Sequence, residues 1–460
     1  MITDKISAIT LDVTEQCNLR CKYCFTNGKT NREISLKTAK DTIDWLVKPE
    51  TCGDAKSVNV SFWGGEPLLK FNLIKQIVEY GKEVTEKTGV HITWGMTTNL
   101  TLCTSEVCEW AKRNNIGMLF SVDGTRENHD KYRPLANGKG SYDLVEKGID
   151  NVIKAGLNVC LRFTLAPDTV KDLYNDIKWY MDNKNIYSFH FSPAYELNWE
   201  ENSFKELERQ FELLVDEIDR QYQKGKILKI RPFVYAITNM INAHPDLERN
   251  SCGAGCNYVG VAVDGSIYPC HRFHDFCDDR HWSQQEKCIG SIYDGITRPE
   301  FRENFLNYRQ NLRDGDYRCN TCEMYNDKLC FGGCAAANID NNGDMYIAPE
   351  SECIIEKMQV KYGKILMKRY STDRYFIWNY YENKGARKCR CNSACYSNGT
   401  CECYMGCYND TLPSLTQKQR ERDEEIDEIL VKVKEIIGSG ETLPEEVTEF
   451  VMDSALNRRR

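Results

Sequence analysis

The chain has 460 residues, 23 of them cysteine, and a formal charge of −8 at pH 7. This length allows two or three domains, and the negative charge argues against nucleic acid as the main partner. No apolar run approaches the roughly 20 residues of a membrane span, and the first residues lack the apolar region of a signal peptide. We therefore expect a cytoplasmic protein with no membrane partner.

The cysteines concentrate in three regions, residues 17–24, 252–353 and 389–407. In a reducing compartment, dense cysteine indicates metal binding rather than disulfides. A few cysteines stand apart and are expected to be buried small hydrophobic residues: Cys52, Cys103, Cys108, Cys160 and Cys277.

Strand-like and helix-like segments alternate over residues 1–200. Strands are predicted over residues 6–13, 58–63, 91–96, 117–122, 159–165 and 188–192. Helices are predicted over residues 68–86, 105–113, 142–155 and 170–182. The alternation predicts an α/β fold with a parallel sheet, and about six such units fit a partial (β/α)6 TIM-like barrel. In such barrels, functional residues gather at the C-terminal ends of the strands.

Cys17, Cys21 and Cys24 follow the first strand at the spacing C-x3-C-x2-C. Three thiolates this close can face a single point if the chain wraps as a loop, and thiolates are the ligands of iron–sulfur clusters. Three ligands would leave one iron of a [4Fe-4S] cluster open to another molecule. The alternative is a zinc knuckle or a set of unrelated cysteines.

This motif, with the aromatic Phe25 after its third cysteine, resembles that of the radical S-adenosylmethionine (radical SAM) enzymes. The resemblance implies that S-adenosylmethionine chelates the open iron through its amino and carboxylate groups. One electron from the cluster then cleaves it to a 5′-deoxyadenosyl radical. It also implies an electron donor such as flavodoxin or ferredoxin.

The second strand is followed by Gly64, Gly65, Glu66 and Pro67. The glycines let the backbone approach a ligand closely, and the run is similar to the family's GGEP motif, which implies a contact to the ammonium of S-adenosylmethionine. A plain strand-to-helix turn is the alternative. The third strand ends in a segment that resembles the family's T-N pair near the cofactor, although such residues also cap helices: Thr98 and Asn99.

The fourth strand ends in a pattern, S-x-D-G followed by H-D-x-x-R, that resembles peptide-modifying and sulfatase-maturing radical SAM enzymes. The resemblance implies that Ser121 and Arg133 contact S-adenosylmethionine. Asp123 is either a ribose contact or a structural turn residue. His129 is expected to be a structural hydrogen-bonding residue rather than a catalyst.

Residues 201–250 contain a charged amphipathic helix, predicted over 203–224, and we expect this region to be a helical bridge without chemistry of its own. The next region, residues 251–355, is similar to the SPASM domain, which carries up to two auxiliary [4Fe-4S] clusters. Asp264 and Gly265 predict a hairpin turn within it.

The SPASM resemblance implies two ligand sets, and with the first motif it gives three [4Fe-4S] clusters in all. Cys252, Cys270 and Cys334 would hold the first auxiliary cluster, with Cys256 as the candidate fourth ligand. If Cys256 does not bind, that cluster has an open iron that a substrate thiolate could occupy. The second auxiliary cluster would be held by Cys319, Cys322, Cys330 and Cys353. Zinc ribbons are the alternative.

His271, directly after Cys270, is the candidate catalytic residue. The resemblance implies that sulfatase-maturing enzymes carry at this position an Asp that acts as the base, whereas histidine is more usual in maturases of ribosomally made peptides. An imidazole can take up a proton near neutral pH. A hydrogen bond that supports the cluster is the alternative role.

Residues 356–460 form a C-terminal extension that neither domain explains. Its cysteine-rich segment 389–407 is a further metal knuckle, a tail that handles or mimics a cysteine-rich substrate, or a disordered segment. Helices predicted over 414–437 and 443–456 form either a docking hairpin or a contact to a peptide leader.

The resemblance covers residues 1 to about 355 and implies a Cys-containing peptide or protein as the substrate. The first hypothesis is a radical SAM peptide maturase that installs an oxidative crosslink, such as a Cys thioether, in a ribosomal peptide. Many such enzymes begin with a leader-binding domain, for which no room is expected before Cys17. The second hypothesis is an anaerobic sulfatase-maturing enzyme that oxidises Cys or Ser to formylglycine. A non-catalytic iron–sulfur or zinc scaffold, and a tail that is itself modified, are further alternatives.

Overall fold

The structure, a computed structural model, describes residues 5–26, 28–241, 252–274, 282–371 and 373–380. Several sequence predictions lie outside these residues: Cys277, the cysteine-rich segment 389–407 and the two helices of the C-terminal extension.

One sheet of eleven strands organises the described part of the chain, in the order β11-β10-β9-β8-β1-β2-β3-β4-β5-β6-β7. Strands β1 to β7 are parallel neighbours in chain order. The strands are β1 (Ala8–Thr14), β2 (Ser57–Gly64), β3 (His91–Thr98), β4 (Ile116–Ser121), β5 (Leu161–Leu165), β6 (Ser188–Pro193), β7 (Lys229–Ile230), β8 (Tyr258–Val261), β9 (Ser266–Tyr268), β10 (Gly290–Ser291) and β11 (Gly295–Ile296). The predicted α/β fold with a parallel, barrel-type sheet is confirmed, with β7 as an additional short strand.

Helices connect the parallel strands and cover the sheet. They are α1 (Leu36–Leu46), α2 (Pro49–Cys52), α3 (Phe71–Thr88), α4 (Ser105–Arg113), α5 (Arg126–Tyr132), α6 (Tyr142–Lys154), α7 (Leu173–Lys184), α8 (Glu201–Gln223), α9 (Arg231–Ile241), α10 (Gln284–Lys287), α11 (Pro299–Leu306), α12 (Tyr308–Asp314), α13 (Glu323–Asn326), α14 (Ala335–Asn342), α15 (Glu350–Arg369) and α16 (Arg374–Tyr380). Side-chain caps fix some of their starts, as where Ser35 accepts from Thr38 N at 2.9 Å before α1.

The core lies between the sheet and these helices. Every residue of β1 is buried, because a parallel sheet is covered by helices on its outer face and filled by side chains on its inner face. Each helix contributes one buried stripe, such as Ile74, Ile77 and Val78 of α3. The helices do not cover the C-terminal ends of the strands, and the loops that contain the predicted motifs meet there.

The hairpin predicted around Asp264 and Gly265 is present as β8 and β9, with Gly265 at a φ of +90°. β8 pairs with β1 in parallel, so the SPASM-like region extends the barrel sheet beyond its first strand.

Three elements lie within or across the predicted domain limits. β7 and α9 lie inside the predicted bridge, and β7 joins the sheet next to β6. α15 returns to the barrel side, where Tyr362 packs against Phe211 at 5.7 Å between ring centroids and Lys361 pairs with Glu208 at 2.6 Å. The boundary predicted after residue 355 falls inside α15.

Candidate functional site

The three cysteines of the C-x3-C-x2-C motif line one cavity of about 810 Å³. Their loop is held by main-chain hydrogen bonds from Arg20 N to Pro134 O at 2.8 Å and from Lys22 N to Tyr132 O at 3.0 Å. The loop therefore wraps around a common space, as its spacing predicts.

The charged residues around this loop help to decide whether it could hold an iron–sulfur cluster. Burial raises the pKa of Cys21 to about 12, and Arg133 opposes this rise. Burial also raises the pKa of Cys17, while Lys29 donates to Cys24 Sγ at 3.3 Å. Thiols must lose their protons to bind metal, and both cations favour the thiolate form. Three thiols on one loop, with these cations beside them, fit an iron–sulfur cluster.

Gly64 and Gly65 bring the end of β2 against the backbone of the cysteine loop. A Cβ on Gly64 would lie 2.1 Å from Thr14 O, and one on Gly65 would lie 2.0 Å from Gln16 O. Gly64 also has a φ of +117°, which favours glycine. These glycines therefore allow a close approach to the segment that leads into Cys17, and both also line the cavity.

Glu66 is fully buried, and its carboxylate organises the same end of the sheet. It accepts hydrogen bonds from Leu68 N at 3.0 Å, Thr98 Oγ1 at 2.9 Å and Asn99 N at 2.8 Å. Burial raises its pKa to about 7, against the effect of these three donors. A carboxylate has about four acceptor positions, so one is left for a further donor from the cavity, such as an ammonium group.

Asn99 connects Glu66 to the cysteine loop. Its Nδ2 donates to Asn18 Oδ1 at 2.9 Å and lies 4.0 Å from Cys17 Sγ. Thr98 and Asn99 both line the cavity, as do Phe25 and Pro67. The residues predicted from the ends of β2 and β3 therefore surround the same space.

The residues at and after the end of β4 form two groups, those that line the cavity and those with a structural role. Ser121 and Arg133 line the cavity, whereas Asp123 is not among its lining residues. Asp123 pairs with Arg133 Nε at 2.9 Å, accepts from Thr164 N at 2.8 Å and is hydrogen-bonded to Tyr23 OH. Of the two roles considered for Asp123, this geometry favours the structural one.

His129 is buried and serves as a structural link, in agreement with its expected role. Its Nδ1 accepts from Asp123 N at 3.3 Å, and its Nε2 lies 2.9 Å from Ser141 Oγ. Burial lowers its pKa to about 4, so the ring is neutral and holds the segment between β4 and α6.

His271 lines the cavity, but its imidazole is held by aromatic neighbours. Its Nδ1 lies 2.5 Å from Tyr258 OH, and its ring centroid is 4.3 Å from that of Trp63. Burial, together with Arg272 and Arg162, lowers the pKa of His271 to about 3. The hydrogen bond with Tyr258 and the contact with Trp63 hold the imidazole at the cavity wall.

Further cavity residues come from β5, β6 and α9, which the sequence reasoning did not select. They are Arg162, His190, Tyr195, Arg231 and Tyr235. Arg231 and Tyr235 belong to the predicted bridge, so the expectation that this region has no chemistry of its own does not fit its position. The available signal was Arg162, a charged residue inside an otherwise apolar strand.

The first predicted auxiliary set is brought together in part. Burial, and then the neighbouring Cys334 and Cys252 thiols, raise the pKa of Cys270. Cys252 and Cys334 also line the cavity that holds the first motif. Two of the three thiols thus line the same cavity, and the buried Cys270 lies near both of them.

Cys256, the candidate fourth ligand, is fully buried, and its Sγ donates to Phe305 O at 3.3 Å. Like Cys270, it is not among the residues that line the cavity. Arg302 Nη2 donates to its carbonyl at 2.8 Å. Its role as a ligand stays a prediction.

The second predicted auxiliary set also lies together. Burial, and then Cys353 and Cys322, raise the pKa of Cys319, and Cys353 contributes in the same way to the raised pKa of Cys330. Cys288, which had no place in the pattern, donates instead to Gly290 O at 3.2 Å.

Within the described ranges, no three His, Cys, Asp or Glu side chains are gathered tightly enough to hold a single metal ion. The ligands of a cubane cluster bind different irons and so lie further apart than the ligands of one ion. In the same part of the chain, no helix is long and apolar enough to cross a membrane.

Residues 11–180 match the family model of the Radical SAM superfamily. The chain therefore contains a domain that matches the Radical SAM superfamily.

Curated relatives extend the similarity beyond this domain. The cysteine-type anaerobic sulfatase-maturating enzyme of Clostridium novyi is 26% identical over 345 residues, which cover 72% of this chain and 87% of that protein. The radical SAM cyclopropyl synthase TigE of Paramaledivibacter caminithermalis is 22% identical over 389 residues, covering 81% and 77%. Uncharacterized protein MJ0907 of Methanocaldococcus jannaschii is 38% identical over 140 residues, but these span only 46% of its length and 30% of this chain.

Solved structures share the fold. The structure of anSMEcpe with bound AdoMet matches with a TM-score of 0.62 and 21% identity, covering 77% of this chain and 96% of that chain. SuiB of Streptococcus suis bound to its precursor peptide SuiA matches with a TM-score of 0.50 and 16% identity, covering 76% of each.

Proposed function

We propose that the protein is a radical SAM maturase that forms an oxidative crosslink, such as a Cys thioether, in a polypeptide. The relatives of similar length are named for sulfatase maturation and for cyclopropyl synthesis, and SuiB has been seen with a precursor peptide. These names support a polypeptide as the substrate of this chain.

Three [4Fe-4S] clusters belong to this proposal. Cys17, Cys21 and Cys24 would hold the first, and the two auxiliary cysteine sets would hold the others. When bound and reduced, the first cluster and S-adenosylmethionine supply the 5′-deoxyadenosyl radical. The chain's own part is to place Glu66 where it can accept from the ammonium of the cofactor, and Arg133 beside Cys21.

One observation supports the thioether in particular: Cys252 and Cys334 line the cavity with Cys270 near both, while the Cys256 thiol donates to Phe305 O. A substrate thiol that has lost its proton is a suitable fourth ligand for such a set, and it would be held in the cavity that the radical motif also lines. The substrate carbon would lose one hydrogen atom to the 5′-deoxyadenosyl radical, and the carbon radical would then bond to the thiolate sulfur. One electron remains, and the auxiliary sets are the proposed place for its acceptor.

Formylglycine formation is the second candidate, since the Clostridium novyi relative covers most of its own length in the comparison. The residue after Cys270 helps to choose between thioether and formylglycine formation. This residue is His271, and its Nδ1 is hydrogen-bonded to Tyr258 OH. A base is thus not evident where the sulfatase-maturing resemblance expects one.

Mass spectrometry separates the two candidates. The anaerobically reconstituted and reduced protein is incubated with S-adenosylmethionine and cysteine-containing peptides encoded near its gene. A thioether removes two hydrogens, keeps the sulfur and protects that cysteine from alkylation. Formylglycine made from cysteine loses the sulfur as sulfide.

Two variants serve as controls for this experiment. Cys24→Ser is expected to abolish 5′-deoxyadenosine formation, whereas Cys52→Ser, whose thiol lies away from the cavity, should leave it intact. 5′-Deoxyadenosine with no altered peptide would reject the peptides chosen. Its absence from protein with full iron content would reject the radical assignment of the first motif.

A further inference from the structure

Arg162 is a cation on the cavity wall formed by β5 and β6. It stands in register with Ser121 of β4 and with His190 of β6, and all three line the cavity. Its Nη1 donates to Thr164 Oγ1 at 3.2 Å, and its Nη2 donates to Ser192 Oγ at 2.8 Å. Both partners are neutral hydroxyls, so these bonds orient the guanidinium without balancing its charge.

Three other cations of the cavity have anionic or thiol partners. Arg133 pairs with Asp123 at 2.9 Å, Lys29 donates to Cys24 Sγ, and Arg272 forms an ion pair with Glu196. Asp123 also acts on Arg162, but it is already engaged by Arg133.

The positive charge on this cavity wall favours the binding of an anion. Burial and the neighbouring Arg133 lower the pKa of Arg162. Burial, followed by Arg162 and Arg231, lowers the pKa of His190 to about 3. A cation removed from water without a counter-charge is costly, and a ligand carboxylate would offset that cost. A guanidinium has five N–H donors, of which two are used here, so a carboxylate could be bound through two parallel hydrogen bonds.

We propose that Arg162 binds a carboxylate of the polypeptide substrate, either an acidic side chain close to the modified residue or the C-terminal carboxylate. This inference rests on the proposed function. The carboxylate of S-adenosylmethionine is the other source of the same chemistry, but by resemblance it is engaged at the iron held by the cysteine loop. That loop follows β1, whereas Arg162 lies on β5, four strands along the sheet. Arg133 and Arg162 both donate to Thr164 Oγ1, so the affinity of each variant for S-adenosylmethionine distinguishes the two sources.

Affinity selection tests this inference without knowledge of the natural substrate. Reconstituted enzyme, saturated with S-adenosylmethionine and left unreduced, is immobilised. A displayed library of ten-residue peptides with one fixed cysteine and a free C-terminus is selected on it. The selection is repeated with Arg162→Gln, with Arg162→Lys and with Arg113→Gln, an exposed arginine on α4 that serves as the matched control. Affinity for S-adenosylmethionine is measured for each variant by equilibrium dialysis.

The expected result is enrichment of Asp or Glu at one position, or dependence on the free C-terminus, with wild type and Arg113→Gln. Replacing that residue with its amide, or amidating the C-terminus, should weaken binding to wild type about tenfold or more. Arg162→Gln should lose the preference while its affinity for S-adenosylmethionine stays the same, and Arg162→Lys should keep part of it. The comparison of acid and amide peptides on wild type does not depend on whether a variant folds.

Three results would overturn the inference. Peptides retained without acidic preference would refute it and leave the proposed function standing. An unchanged preference in Arg162→Gln, combined with a tenfold loss of S-adenosylmethionine affinity, would assign the site to the cofactor. Failure of the wild type to retain any peptide would reject the proposed polypeptide substrate, and this inference with it.

Discussion

Gly65→Ala should disrupt the cysteine loop, although no atom of Gly65 is a proposed ligand. The added Cβ would lie 2.0 Å from Gln16 O and 3.0 Å from Cys17 N. Because Cβ contacts below 3.0 Å are essentially never seen, the end of β2 and the loop must separate by about 1 Å. The gap opens at the residue directly before the first cysteine of the motif.

The cost follows from the contacts that this separation breaks. Gly65 N donates to Thr14 O and Glu66 N to Gln16 O, both at 2.8 Å. Two such hydrogen bonds contribute about 1–3 kcal/mol, and overpacking a tight contact adds about 1–3 kcal/mol. We therefore expect the variant to lose about 2–6 kcal/mol of stability, together with the iron bound by the first motif.

Gly89→Ala is the matched control. Gly89 ends α3 at a φ of +72°, but an added Cβ there meets nothing within 4 Å. Gly89→Ala should lose only about 1–2 kcal/mol of stability, through backbone strain. It should retain the full iron content of the wild type. Urea unfolding and iron and sulfide content after anaerobic reconstitution measure both effects. If Gly65→Ala matched Gly89→Ala in both, the glycines would not be required for packing of the loop.

The other predictions concern residues away from the first motif. Cys256→Ser should keep the iron content of the wild type because the Cys256 thiol donates to Phe305 O. Cys270→Ser, in contrast, should lose the iron of one cluster. Equal losses of iron in the two variants would indicate that Cys256 is a ligand. Burial lowers the pKa of His129 from 6.5 to about 4. As pH falls through this window the unfolded chain takes up the proton first, so about 3 kcal/mol of stability is lost. His129→Gln should flatten this part of the pH–stability curve, and an unchanged slope would contradict the assignment.

Local patterns in the sequence predicted the barrel because its strands and helices are encoded in short stretches. Strand and helix periodicity alternates over the first 200 residues, and the strand ends carry polar or glycine-rich runs. Parallel strands bring these ends to one edge of the sheet. For this reason the sequence alone predicts that Glu66 and Asn99 lie near Cys17.

The features that the sequence does not indicate are contacts that arise only when distant segments meet. α15 packs on the barrel through Tyr362 and Phe211, and no local signal marks that partner. Cys256 fits a ligand spacing but donates to Phe305, 49 residues away. Arg231 belongs to a segment without a motif, yet β7 places it at the cavity wall because that strand pairs with β6.

The relation of the two cysteine regions to β1 bears on the size of the substrate. The C-terminal end of β1 leads into the cysteine loop, while β8 pairs along β1. His271, next to Cys270, has its ring centroid 5.9 Å from that of Phe25, next to Cys24. Cys252 and Cys334 line the same cavity as the cysteine loop, and its volume is about 810 Å³. This volume is near the upper end of the roughly 300–1,000 Å³ of ligand sites, which favours a peptide segment over a single amino acid as the group that fills the cavity.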